Sequence, residues 1–147
     1  MILVVQRVSR ASVKVDGETV GKIGKGFMVL VGIKNGDDEA VAAKMVKKMC
    51  GLRIFEDAEG KTNLSLADVG GELLLISQFT LCADCRKGYR PSFIDAARPE
   101  VSEPLYNFVI DESKKYVPVV EKGVFGAMME VELINDGPFT IVLDSEK

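Results

Sequence analysis

Glu72-Leu73-Leu74-Leu75-Ile76-Ser77-Gln78-Phe79 follows Gly70-Gly71 and runs on into Thr80-Leu81. Four apolar residues in a row, preceded by a pair of glycines, read as a strong central strand of a sheet. Its far end turns polar. Ser77, Gln78 and Thr80 bring hydroxyl and amide groups to the point where a strand opens into a loop, a common place for chemistry. The plainer reading of the same residues is that Ser77 and Thr80 satisfy backbone groups where the sheet stops.

Working outward, Phe27–Ile33 is a second continuous apolar run and a second buried strand. Ahead of it, Val13-Lys14-Val15 and Thr19–Ile23 flank Asp16-Gly17, the signature of a hairpin. Met1–Val8 also reads as a strand. After Asn35-Gly36, Asp37 or Asp38 caps a helix whose apolar positions Val41, Ala42, Met45, Val46 and Met49 have helical spacing, with a stop at Gly51. Lys44, Lys47 and Lys48 fall on its other, solvated face. Leu52–Phe55 reads as a strand and Asp57-Ala58-Glu59-Gly60 as a turn. Residues 82–100 read as loop, with Pro91 and Pro99 as breakers. Ser102 caps a second helix that begins near Pro104 and ends near Tyr116. Met128–Ile134 and Phe139–Leu143 are the last strands, joined by an Asn135-Asp136-Gly137-Pro138 turn. There is no regular βαβ alternation, no glycine-rich phosphate loop and no repeat. The expectation is an α+β fold in one domain, residues 1–147, with mostly antiparallel sheets and two main helices packed on one side.

Composition narrows the function. The chain has 147 residues, 47% hydrophobic and 28% charged, with a net charge of −3. Such a balance argues against wrapping long nucleic acid by bulk charge, and leaves open gripping one RNA end through a local patch. Its apolar runs fall well short of the about 20 residues a membrane helix needs, and the N-terminus lacks the pattern of a signal peptide. The expected location is the cytoplasm.

Histidine is absent, which removes Ser-His and Cys-His catalysis. Cys82 and Cys85 have C-x-x-C spacing, but only Cys50 remains as a further thiol. A structural zinc wants four ligands, and a redox pair wants a helix directly after it, where Arg86-Lys87-Gly88-Tyr89-Arg90-Pro91 reads as loop. The spacing is taken as incidental, and no metal or cofactor is expected. Arg86, Lys87 and Arg90 form a basic cluster in an acidic protein, either an ordinary surface loop or a phosphate contact. Gly137-Pro138 is either a plain turn or a device: X-Pro adopts cis at low cost, and glycine tolerates unusual dihedrals, so the pair can aim two carbonyls in one direction.

Several segments together carry a resemblance. Gln6-Arg7-Val8, Ala11-Ser12-Val13, Leu52-Arg53-Ile54-Phe55, Ser77-Gln78-Phe79-Thr80-Leu81, Gly88-Tyr89-Arg90-Pro91-Ser92-Phe93 and Asn135-Asp136-Gly137-Pro138-Phe139-Thr140 occur in this order. The chain resembles, end to end, the D-aminoacyl-tRNA deacylases of bacterial and eukaryotic type. The resemblance implies a homodimeric hydrolase. It would cleave the ester between a D-amino acid and the 3′-terminal adenosine of tRNA, and would remove glycine from mischarged tRNA. It implies that Gly137-Pro138 is cis and reaches into the other subunit's pocket, rejecting L side chains by occupying their space. Ser77, Gln78, Phe79 and Thr80 would line the scissile ester, with the Phe79 N–H as oxyanion donor. The attacking group would be a water helped by the RNA's 2′-hydroxyl, with Thr80 positioning it; Thr80 as nucleophile is the other reading, and lacks a visible base. Phe125 and Met129 either wall the adenosine pocket or pack in the core. A main-chain carbonyl near Ser102, where alanine is frequent among relatives, would help hold the substrate's amino group.

Two other classes compete with the hydrolase. A non-catalytic, dimeric RNA 3′-end binder would bind aminoacyl-tRNA without turnover. A thiol-based redox or metal protein would lose its function when Cys82 and Cys85 were both replaced by serine.

Overall fold

The computed structural model describes residues 1–147, and its organising element is the first strand. β1 (Ile2–Val15) is fourteen residues long and uses both of its edges. Along one edge, residues 2–8 pair with β3 (Gly26–Gly32) and residues 11–15 pair with β2 (Glu18–Ile23), both antiparallel. The β1–β2 turn is the expected one, with Asp16 at φ 50° and Gly17 at φ 80°. Along the other edge β1 pairs with β8 (Glu130–Asp144), again antiparallel. β3 continues the sheet into β6 (Glu72–Ser77) and then β7 (Val120–Lys122).

The α+β class holds, but the sheet is mixed. β6 runs parallel to both β3 and β7. Parallel neighbours need crossovers, and each crossover here carries a helix: α1 (Glu39–Gly51) between β3 and β6, α2 (Pro99–Ser113) between β6 and β7. This is why Leu73-Leu74-Leu75-Ile76 is apolar on both faces. Leu73 and Leu75 join Leu3, Val5, Phe27 and the two helices in the main core, while Leu74 and Ile76 meet Val13, Ile23 and Met28 on the opposite side. The small hairpin β4 (Phe55–Glu56) and β5 (Thr62–Leu64) stands apart, turned by residues 57–60 as expected. Neither helix is long and apolar enough to cross a membrane.

Asp38 caps α1, its carboxylate accepting from the Val41 N–H at 2.9 Å. Its neighbour Asp37 instead accepts from the Lys34 N–H at 2.7 Å. The second helix begins earlier than its sequence suggests. Pro99 does not break it but opens it, because the first helical residue has no intrahelical N–H bond to lose. Ser102 is therefore inside α2 and buried, not a cap. Pro104 lies within the helix; the Glu100 carbonyl it leaves without a donor belongs to an exposed residue that water reaches. Strand β7, three residues without alternation, has no signal in the sequence.

The largest correction concerns residues 128–143, which do not form a hairpin. β8 is one strand, and both of its halves pair with β1. Gln6 pairs with Thr140 and Val8 with Asn135, so residues 136–139 are pushed out of the ladder as a bulge. A second shift lies between Val8 and Arg10. The turn residues Asn135-Asp136-Gly137-Pro138 build an excursion from a strand that then resumes its course.

Tyr106 ties α2 to the sheet, its buried hydroxyl donating to the Leu75 carbonyl at 2.7 Å. That carbonyl also accepts from the Gly123 N–H at 3.3 Å. Tyr106→Phe therefore leaves no orphaned acceptor, and the expected loss is about 1 kcal/mol, measured by urea unfolding.

Candidate functional site

β6 ends at Ser77, and the chain immediately tightens into a short 3-10 helix, Phe79–Cys82. Gln78 makes the junction: its N–H donates to the Val31 carbonyl at 2.8 Å, the last bond to β3, and its carbonyl accepts from the Leu81 N–H at 3.3 Å. Gly32 permits this close approach, since a Cβ there would meet the Leu81 Cβ at 2.8 Å. Phe79 and Thr80 precede the first hydrogen bond of the turn, so their N–H groups have no intrahelical acceptor. The Gln78 side-chain amide donates to the Thr80 hydroxyl at 2.5 Å.

Beside this junction opens a cavity of about 630 Å³. Ser77, Gln78 and Phe79 form one wall, Ser102 of α2 another, and Phe125, Met128 and Met129 a third. Phe125 also packs against the core edge, its ring centroid 6.0 Å from that of Tyr106. No lining residue carries a charge. Thr80 lies next to the cavity rather than on its wall. No group of three or more Cys, Asp or Glu side chains is placed to hold a metal ion.

Gly137 and Pro138 are not in this cavity. Asn135 pairs with Val8, and Val8 with Gly26; Ser77 pairs with Val31. Along the strand direction Asn135 lies level with Gly26 and Ser77 with Val31, an offset of about 17 Å at ~3.3 Å per residue, and β1 and β3 also stand between the two elements. The Gly137–Pro138 peptide is cis, and Gly137 sits at φ 132°, a conformation side chains disfavour. Asn135 braces the bulge, its side-chain carbonyl accepting from the Phe139 N–H at 2.8 Å and its amide donating to Thr140 Oγ1 at 2.8 Å.

Arg7 holds the same bulge from inside, a residue its sequence context signals only indirectly. It follows Leu3 and Val5 at spacing two, so it shares their core-facing side, where a charge needs partners. Its Nε donates to the Asp136 carbonyl at 3.1 Å and its Nη1 to the Ile54 carbonyl at 2.6 Å. The guanidinium lies 4.7 Å from the Phe139 ring centroid.

The basic cluster separates. Arg86 is engaged by Asp84 through contacts of 2.9 and 2.6 Å, and hydrogen bonds from its side chain, then from its backbone N–H, lower the Asp84 carboxyl to about 2. Lys87 and Arg90 are exposed and make no ion pair. They ride on a loop closed at its base by the Asp84–Ser92 backbone pair, with N···O distances of 2.8 and 2.9 Å. Cys82 is buried, its thiol facing the Ile33 carbonyl at 3.5 Å, and burial raises its pKa; Cys85 is exposed beyond an extended Ala83. Neither feature favours thiolate chemistry.

Comparison with known proteins adds the context. A family model described as D-Tyr-tRNA(Tyr) deacylase matches residues 4–144. A D-aminoacyl-tRNA deacylase of Lactobacillus helveticus is 60% identical over 144 residues, spanning 98% of this chain and 99% of the relative. One from Clostridium acetobutylicum is 55% identical over 147 residues, 100% of this chain and 99% of the relative. Among solved structures, the c-Myc DNA Unwinding Element Binding Protein superposes with TM-score 0.93 at 43% identity, covering 98% of both chains. A structure described as that of "a probable eukaryotic D-amino acid tRNA deacylase" has TM-score 0.83 at 17% identity over 97% of both chains, a likeness of fold.

Proposed function

This chain belongs to the D-Tyr-tRNA(Tyr) deacylase family, and from that premise we propose how its cavity works as a D-aminoacyl-tRNA deacylase. The enzyme is a hydrolase that cleaves the ester joining a D-amino acid to the 3′-terminal adenosine of tRNA, in the cytoplasm, where charged tRNA is used. The observation that carries the mechanism is an apolar-walled cavity with no charged side chain, opening beside the Phe79 and Thr80 N–H groups that have no intrahelical acceptor.

Without an acid or base of its own, the site works by placement and by borrowing a group from the substrate. Phe125 and Met129 wall the adenosine, and Ser102 stands beside the amino end of the aminoacyl group. A water adds to the ester carbonyl carbon. The developing oxyanion is held by the Phe79 N–H, with that of Thr80 beside it; donors already in place cost no reorganisation in the transition state. The RNA's 2′-hydroxyl relays the proton from water to the departing 3′-oxygen. Thr80 is not the nucleophile in this scheme: its oxygen accepts from Gln78, and no base adjoins it.

Chiral selection comes from a second copy. The offset along the strands and the two strands standing between Ser77 and the Gly137–Pro138 bulge of the same chain argue that the bulge serves another chain's cavity. The edge of β8 not paired to β1 is long and unpartnered, with Ile134 and Val142 exposed; such an edge invites a second strand or surface. In the homodimer, carbonyls of Gly137 and Pro138 of the partner subunit fill the space an L side chain needs. Glycine, lacking a side chain, passes, so glycyl-tRNA(Ala) is a substrate too.

The deciding experiment is deacylation of matched D- and L-tyrosyl-tRNA with chelator present, alongside sedimentation to give the oligomeric state. Release from the D ester alone by a dimer is expected. Binding of both RNAs with release from neither would sink the hydrolase mechanism in favour of a nucleic-acid binder. Gly137→Ala sharpens the test. Its Cβ would sit 3.0 Å from Arg7 Nη2 at a φ of 132°. The expected result is a fall of about ten-fold or more in the D-to-L rate ratio, the equivalent of ~1.4 kcal/mol.

A further inference from the structure

Phe79 works through its amide in the mechanism above, which leaves its ring unexplained. That ring is 56% exposed, and beside it stands Phe93, 37% exposed. The two meet edge to face, centroids 5.1 Å apart at 71°, at the rim of the cavity that both help to line. Neither ring is sealed into the core, and the pair leaves apolar area exposed at the surface.

Two further observations point to one occupant. The cavity's volume of about 630 Å³ suits a single nucleoside ester, so the nucleotide preceding it must lie outside, at the rim. Ser92, the residue before Phe93, closes the loop that carries Lys87 and Arg90, so two unpaired cations project from the same base as the aromatic ring. Exposed aromatics flanked by cations are how proteins hold single-stranded nucleic acid, stacking on bases while cations follow the phosphates.

We propose that Phe79 and Phe93 form a stacking subsite for the base of the nucleotide immediately 5′ of the terminal adenosine, with Lys87 and Arg90 on its phosphates. The assignment rests on the deacylase reading and extends it from the terminal nucleoside to the single-stranded end that carries it. Stacking on a π-face is tolerant of base identity, so the subsite reads the presence of a flexible single strand rather than its sequence.

The test compares two D-tyrosyl esters, one of adenosine alone and one of a trinucleotide ending in adenosine, using the full-length protein. Wild type should cleave the trinucleotide ester with a kcat/KM about ten-fold higher or more, the range expected for one stacked base. Phe93→Ala should remove most of that advantage through KM, and its loss on the trinucleotide should be at least about five times its loss on the adenosine ester. Phe93→Tyr, which keeps the π-face, should retain the advantage; Phe93→Leu, which keeps the bulk, should not. A Lys87→Ala, Arg90→Ala double variant should flatten the salt dependence of log(kcat/KM) on the trinucleotide by about 1.4, two phosphates' worth on a single strand. Equal rates on the two esters in wild type would overturn the subsite while leaving the deacylase intact. So would equal losses in Phe93→Ala, or a change in its oligomeric state. Cleavage of neither ester would overturn the deacylase reading and the subsite with it.

Discussion

Arg7→Ala is expected to cost about 2–4 kcal/mol of stability and, in the protein that still folds, to collapse the preference for D esters. The side chain is 7% exposed and its only carboxylate neighbour, Asp136, is 3.8 Å away and 56% exposed. Its stabilisation therefore comes less from an ion pair than from two charge-assisted hydrogen bonds to main-chain carbonyls and from the face of Phe139. Removing it leaves the Ile54 carbonyl without its donor and opens space beneath the bulge. The functional consequence is separable from the structural one. Arg7 grips the Asp136 carbonyl, one residue before Gly137, so its loss frees the Gly137 and Pro138 carbonyls to which we assign the exclusion of L side chains. Urea unfolding gives the first quantity and the D-to-L rate ratio the second. Arg7→Lys is the discriminating control. An ammonium cannot fork to the Asp136 and Ile54 carbonyls together, so it should recover part of the stability and little of the selectivity. A variant that loses stability but keeps full L rejection would show that Asn135 and the ladder hold the bulge without Arg7.

Gly26→Ala should be more severe still, with about 4 kcal/mol or more lost and a fall in Tm near 10 °C, or no soluble protein at all. A Cβ at residue 26 would lie 1.9 Å from the Glu72 carbonyl oxygen and 2.5 Å from the Glu72 nitrogen. These are backbone atoms of the paired strand, not the tip of a flexible side chain, so relief requires parting β3 from β6. That ladder runs from Gly26–Glu72 to Val31–Ser77 and hands on to the Gln78 N–H bond that aims Phe79 into the cavity. The effect should reach activity through geometry even though residue 26 is at the far end of the ladder. Thermal melting and D-tyrosyl-tRNA hydrolysis at a permissive temperature measure both. A well-folded, fully active Gly26→Ala protein would mean that the strand pair is looser than its register implies.

How far the chain could be read in advance follows from which forces act locally. The Asp16-Gly17 hairpin and the Asp38-capped helix were legible because turn chemistry and side-chain spacing are properties of neighbouring residues. So was the polar end of β6. The parallel setting of β6 was not legible, because an apolar run of that length suits a sheet centre without naming its neighbours. Asn135-Asp136-Gly137-Pro138 misled because its residues favour reversal, while pairing with β1 on both sides carries the chain straight on. Pro99 misled for the opposite reason: a breaker in mid-helix is a good first residue. Arg7 stands out in the sequence only as part of the opening motif. Its partners, Ile54 and Asp136, are distant in sequence, so nothing local reveals the clamp.

The pairing of β1 with β8 also sets the order of events in time. Every partner on that ladder lies more than a hundred residues away along the chain, from Lys14 with Glu130 to Ile2 with Asp144. Closing so long a loop costs entropy that local contacts do not repay, so the first strand synthesised waits for the last. Until β8 emerges, β1 keeps one edge open and the bulge has nothing to leave from. The bulge that carries Gly137 and Pro138 thus forms only once β8 has paired, and a chain cut short of β8 should lack whatever selectivity that bulge confers.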